Sequence, residues 1–122
     1  MADKLLGVMA NVDVSRPAEI LPPLLQATVA AAMEYEVEVL FTGQAGQLAM
    51  KGEAQQLLLK EEDSKSVYDH IKQARQAGVV FKICTPAFKF WGEDLIPEIS
   101  ETVGGAYIIN EAMDDSVVTF TY

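Results

Sequence analysis

Cys84 is the only cysteine of the chain, and it stands between an apolar run and a pair of residues suited to starting a helix. Residues 79–83, Val-Val-Phe-Lys-Ile behind Gly78, have the composition of a buried strand of a parallel sheet. Thr85 and Pro86 then read as an N-cap and a first helical position, opening a short helix that Gly92 stops. A thiol at that junction faces unpaired backbone N–H groups and the positive end of the helix dipole, both of which favour a thiolate. Lys82 and Lys89 add positive charge on either side of it. The chemistry on offer is that of a sulfur nucleophile. The plain alternative is a small buried hydrophobe, and the residues alone leave both readings open.

Other chemistry is poorly supplied. His70 lies inside a helical stretch beside Ile71, and nothing in the sequence provides it with a metal-ligand or triad partner, so it reads as a surface or edge histidine. The Gly-Gln-Ala-Gly segment at residues 43–46 has neither the spacing of a dinucleotide fingerprint nor the Lys-Ser/Thr of a P-loop. A cysteine hydrolase or peroxidase is disfavoured, because no His and acid partner is evident and no second cysteine exists to resolve an oxidised thiol. No metal site is expected.

Composition narrows the class further. With 122 residues, half of them hydrophobic, the chain is expected to form one domain over residues 1–122 with a single core. A net charge of −9 argues against direct nucleic-acid binding, which depends on clustered Lys and Arg, and suits a basic protein surface better. One cysteine cannot form an internal disulfide, and the N-terminus shows no charged region followed by an apolar one. The expected compartment is therefore the reducing cytoplasm. Pro22, Pro23 and Gln26 interrupt the longest apolar run, so no membrane span is expected.

The elements that must hold Cys84 follow from the patterning. Residues 4–10 are apolar without alternation, as in a central strand covered on both faces. The loop from Asn11 to Ser15 follows, and in a parallel sheet Asn11 and Asp13 share an edge with Cys84, with turn and cap chemistry as their role. Ser15 and Pro17 lead into a helix that Pro22 and Pro23 either kink or truly start, with Leu24, Leu25, Thr28, Val29, Ala32 and Met33 at helical spacing. Residues 37–42 form a second strand closed by Gly43. Residues 43–52 make a loop with one or two helical turns, 54–60 continue helically, and Glu61, Glu62 and Asp63 are a solvated acidic run. Ser64 or Ser66 caps the next helix, whose Val67, Ile71 and Ala74 face inward and which Gly78 ends.

Beyond the cysteine segment, residues 94–97 connect to a fourth strand at 99–103, and Gly104-Gly105 makes a tight turn. A short helix over 106–113 follows, although Tyr107-Ile108-Ile109 would also tolerate a strand; residues 117–121 close the fold as a strand. Strands alternating with helices predict a three-layer α/β/α sandwich on a mainly parallel five-stranded sheet. Phe81, Phe88, Phe90 and Trp91 exceed what one short strand and helix need to bury. Some of these rings are expected at an oligomer interface or a docking surface around Cys84.

In order and spacing the chain resembles the DsrE/DsrF/TusD-like sulfurtransferases. The residues that carry the resemblance are the run from Leu24 to Gly43, Met50-Lys51-Gly52, the strand ending at Cys84, Val103-Gly104-Gly105-Ala106, and Asp115 to Phe120. A glycine is usual before the second strand of such proteins, where this chain has Glu34-Tyr35-Glu36. The resemblance implies a cytoplasmic sulfur carrier in which Cys84 accepts a sulfane sulfur as a persulfide and hands it on, with no cofactor. Thr85, Lys82 and Lys89 would surround the persulfide. It further implies a homo-oligomer, a trimer or hexamer, that exchanges sulfur with a TusA-like carrier, in sulfur oxidation, with routes through a heterodisulfide-reductase-like complex, or in sulfur trafficking to tRNA thiolation. Because some members carry a second cysteine, its absence here excludes an intramolecular disulfide relay. The competing class is a partner subunit in which Cys84 is inert and the aromatic surface docks another protein.

Overall fold

β1 (Lys4–Met9), β2 (Glu36–Phe41), β3 (Val80–Cys84), β4 (Ile99–Val103) and β5 (Val117–Thr121) form one sheet in the order β4-β3-β2-β1-β5, with every pairing parallel. The computed structural model describes residues 3–59 and 65–122. The α-helices are α1 (Leu21–Ala32), α2 (Val67–Ala77), α3 (Thr85–Trp91) and α4 (Gly105–Ala112). The chain steps in one direction from β1 to β4 and then returns across the sheet to β5. With right-handed crossovers, that reversal sends the last helix to the opposite face. The packing agrees. α1 and α2 contribute Leu24, Ala27, Ile71 and Ala74 to one core with Met9, Val39, Phe41, Phe81 and Ile83. α4 covers a thinner layer around Leu6, Leu40 and Val103 with Tyr107 and Ile108. The three-layer parallel sandwich is as expected, without an antiparallel strand in the sheet.

Local differences have local causes. Pro22 and Pro23 occupy the first turn of α1, where a missing N–H costs nothing, so they mark its true start and do not kink it; residues Pro17–Glu19 form a separate 3-10 turn. The expected helix over 54–60 shrinks to a 3-10 turn at Ala54–Gln56. Leu57 and Leu59 instead exchange backbone hydrogen bonds with Val67 and Lys65, and Leu58 bridges Ser66. Those bonds hold the backbone extended. Ser66 caps α2 in a reciprocal box with Asp69, and Gly78 ends the helix in the left-handed region at φ 117°. Ser64 and the acidic run at Glu61, Glu62 and Asp63 lie outside the described residues. Tyr107-Ile108-Ile109 is helical, within α4.

In an open α/β sheet the reversal of strand order leaves a crevice, here beyond the ends of β1 and β5. Tyr122 closes it: its carbonyl accepts from the N–H groups of Ala10 and Asn11, and its own N–H donates to Val8. The open ground at this edge lies instead beyond β2 and β3.

Candidate functional site

The parallel register pairs Phe41 with Ile83, which brings the next residues on each strand, Thr42 and Cys84, to the same edge. Both occupy N-cap positions. Thr42 precedes a 3-10 segment at Gly43–Ala49, Cys84 precedes α3, and neither side chain caps the turn that follows it. Cys84, not Thr85, is therefore the residue at the mouth of α3; Thr85 and Pro86 are its first two helical residues. The shift arises because β3 runs through Cys84 and the helix begins without an intervening residue.

The two uncommitted side chains meet. Cys84 Sγ donates to Thr42 Oγ1 at 3.0 Å. Cys84 is only 3 % exposed, yet it lies at the floor of an open cleft of about 430 Å³ walled by Gly43, Gln44, Pro86, Phe90 and Trp91. Trp91 Nε1 donates to the Gly43 carbonyl at 2.8 Å and ties α3 to the 3-10 segment. That close approach needs Gly46, where a Cβ would sit 2.7 Å from both Ala87 Cβ and Trp91 Cδ1. Phe90 packs edge-on against Trp91, with centroids 4.9 Å apart, and is 76 % exposed at the lip.

The expected aromatic group thus divides. Phe81 is core and stacks on Phe41 at 5.6 Å, Phe88 and Trp91 are half-buried, and Phe90 projects to solvent.

Of the residues expected around the sulfur, Thr85 donates its hydroxyl to the Val103 carbonyl at 3.3 Å, fastening the start of α3 to the end of β4. Lys89 is exposed on the last turn of α3. Lys82 turns beneath α4, where its ammonium pairs with Glu38 and with Glu101 at 2.8 Å and donates to Tyr107 Oη at 2.8 Å. Neither lysine lines the cleft. Asp13 accepts from the N–H and hydroxyl of Ser15 in an Asx-turn, the loop role expected of it. His70 is half-buried in α2, outside the cleft lining; burial above all, and the nearby Lys65, push its pKa down.

Glu38 is the residue sequence reasoning missed most completely. It is 3 % exposed in the middle of β2, beside Leu6 of β1 and Val80 of β3 in the register, and its carboxylate pairs with the ammonium groups of Lys4 from β1 and Lys82 from β3. Burial pushes its carboxyl up, but hydrogen bonds from Lys4, Lys82 and Tyr107 outweigh that and hold it below the usual carboxylate range. Burial pushes both lysines down, but the hydrogen bonds of Lys4 to Glu111 and Glu38, and of Lys82 to Glu101, Glu38 and Tyr107, prevail and raise them above their ordinary values. Its position at the centre of the E-V-E-V-L-F run was the available signal, since alternation places residues 38, 40 and 42 on one face. Among the described residues, no group of His, Cys, Asp or Glu is placed to hold a metal ion, and no helix is long and apolar enough to cross a membrane.

Fold and site together define a parallel α/β protein with one thiol set at a strand end beneath an aromatic-walled cleft. A family model described as the DsrE/DsrF-like family matches residues 22–120, a span that includes Cys84, Thr42 and every wall of the cleft. The chain belongs to that family, which is associated with sulfur relay. No curated protein matches the chain.

Proposed function

We propose that the protein is a sulfurtransferase or sulfur carrier that takes a sulfane sulfur as a persulfide on Cys84 and passes it to a partner thiol. The observation that carries this reading is the placement of the single thiol at the floor of an open cleft in a DsrE/DsrF-like chain. In loading, the Cys84 thiolate attacks the outer sulfur of a donor persulfide R–S–SH, giving Cys84–S–SH and releasing R–S⁻. In unloading, a partner thiolate attacks that outer sulfur, and Cys84 leaves as the thiolate. Neither step needs an external oxidant or a cofactor.

The acceptor in this reading is a TusA-like carrier, with a heterodisulfide-reductase-like complex further along a cytoplasmic route. Phe90 at the lip suits a protein partner, because an exposed ring beside a buried thiol offers apolar area where the two must approach. Leu25, Val29, Met33 and Phe120 leave apolar surface exposed along α1 and β5, which supports assembly of a homo-oligomer, a trimer or hexamer. The α3 start at Thr85 borders the persulfide, Lys89 adds positive charge from outside the cleft on the last turn of α3, and Lys82 acts from beneath by holding β3.

The test is intact mass after incubation with inorganic polysulfide or thiosulfate, followed by a thiol carrier. The expected result is a reductant-sensitive gain of about one sulfur or more, as befits a reactive thiol, lost to the carrier and absent from Cys84→Ser. A wild-type protein that gains nothing from any donor overturns the reading. Burial of the thiol together with exposure of Phe90 favours one second reading, a partner subunit with an inert Cys84. A complex that keeps its activity with Cys84→Ser would establish it.

A further inference from the structure

We propose that Thr42 is a catalytic residue of this site, donating its hydroxyl hydrogen to the Cys84 thiolate that forms when the outer sulfur leaves. The proposal rests on the persulfide reading above. Its ground is the geometry at the ends of β2 and β3. Thr42 Oγ1 is 3.0 Å from the reacting Sγ. A threonine at an N-cap ordinarily turns its hydroxyl onto the N–H groups of the turn it begins, and Thr42 does not. Its backbone is held independently: its N–H donates to Met9, and its carbonyl accepts from Ala45. The hydroxyl is thus held at the sulfur by the sheet and stays free to rotate its hydrogen.

That rotation matches the charge change of the reaction. Toward the thiol, Thr42 Oγ1 accepts from Sγ–H, as in the resting structure. Toward a thiolate the same oxygen turns donor, since a hydroxyl carries one hydrogen and two lone pairs. In unloading, the acceptor thiolate R–S⁻ attacks the outer sulfur of Cys84–S–SH. The S–S bond breaks, its electron pair stays on Sγ, and R–S–SH departs. Negative charge therefore develops on the one atom that Thr42 touches, and a donor preplaced there lowers the barrier. Thr42 also bears on which sulfur is attacked. It and the strand ends cover Sγ, while an added sulfur extends from Sγ towards the open cleft bounded by Pro86, Phe90 and Trp91. Attack at the outer sulfur transfers sulfur, whereas attack at Sγ would trap the acceptor as a mixed disulfide and release hydrosulfide.

The experiment compares wild type, Thr42→Val and Thr42→Ser, with thermal midpoints to check the fold. Proteins loaded with inorganic polysulfide are mixed with glutathione, and persulfide loss and any glutathione adduct are followed by intact mass. In parallel, Cys84 alkylation by iodoacetamide is measured against pH. Thr42→Val is expected to release sulfur at least roughly 10-fold more slowly, the loss of one hydrogen bond to a charged group, and to move the alkylation profile to higher pH. Thr42→Ser is expected to restore both. Release from a folded Thr42→Val at the wild-type rate overturns this inference while leaving the persulfide reading intact, and so does an alkylation profile that does not move. A wild-type protein that takes up no sulfur overturns both.

Discussion

Tyr107 Oη on α4 stands 2.7 and 2.8 Å from the two carboxylate oxygens of Glu38 in the middle of β2. This contact joins the last helix to the sheet through a polar layer that also holds Lys4 and Lys82, because α4 covers only a thin apolar layer of its own. Removing one partner from a buried ion pair leaves the others uncompensated. We expect Glu38→Gln to lower the unfolding free energy by about 3 kcal/mol and Tyr107→Phe by about 1 kcal/mol. Urea denaturation measures both. A Glu38→Gln protein as stable as wild type would show that the charges are solvated and not paired.

The same layer sets a pH dependence. Burial pushes the Glu38 carboxyl up, but its hydrogen bonds from Lys4, Lys82 and Tyr107 prevail and keep it below its unfolded value. Its contribution is therefore complete above the ordinary glutamate value of about 4.3 and is lost as pH falls through the lower folded value. Lys4 and Lys82 are raised, so their contribution is complete below about pH 10.4 and is lost as pH rises further. Stability measured by denaturation at a series of pH values should fall at both ends. In Glu38→Gln the acid limb should be shallower, and an unchanged acid limb contradicts the assignment.

Gly46 admits the side chains that wall the cleft. Gly46→Ala places a Cβ within 2.7 Å of Ala87 Cβ and Trp91 Cδ1, so α3 must move away from the 3-10 segment. Overpacking of this kind costs about 1–3 kcal/mol. The thermal midpoint should fall, Trp91 fluorescence should shift as its bond to the Gly43 carbonyl is disturbed, and Cys84 should alkylate faster. Wild-type values for all three would mean that the two segments separate without consequence.

Glu34 adopts φ 72°, a left-handed conformation unfavourable for a residue with a side chain, and its side chain is exposed. Glycine, which has no Cβ, takes that conformation freely. Relief of the strain outweighs the added freedom of the unfolded chain, so Glu34→Gly is expected to stabilise by up to about 1 kcal/mol. The thermal midpoint should rise by about 4 °C. A fall would mean that the glutamate side chain contributes more than its backbone costs.

Patterns confined to single segments were decided by the sequence alone. The strand candidates contained the observed β-segments to within a residue at either end, Gly78 ended α2 and one of two serines, Ser64 or Ser66, began it, and the apolar run before Cys84 placed the thiol at a strand end. These features depend on local patterning, capping and glycine stereochemistry, which neighbouring residues determine. Relationships across strands were decided only by the tertiary structure. Lys82 is two residues from Cys84, yet its ammonium is taken by Glu38, Glu101 and Tyr107, residues far from it in the chain. Leu25, Val29 and Met33 have the spacing of a buried stripe, but α1 turns Pro23, Leu24 and Ala27 inward and leaves them exposed. Thr42 and Cys84 are distant in sequence and meet because parallel register sets the ends of β2 and β3 level. A pairing between segments depends on strand order and register, which the chain specifies only collectively, through the packing of its whole core.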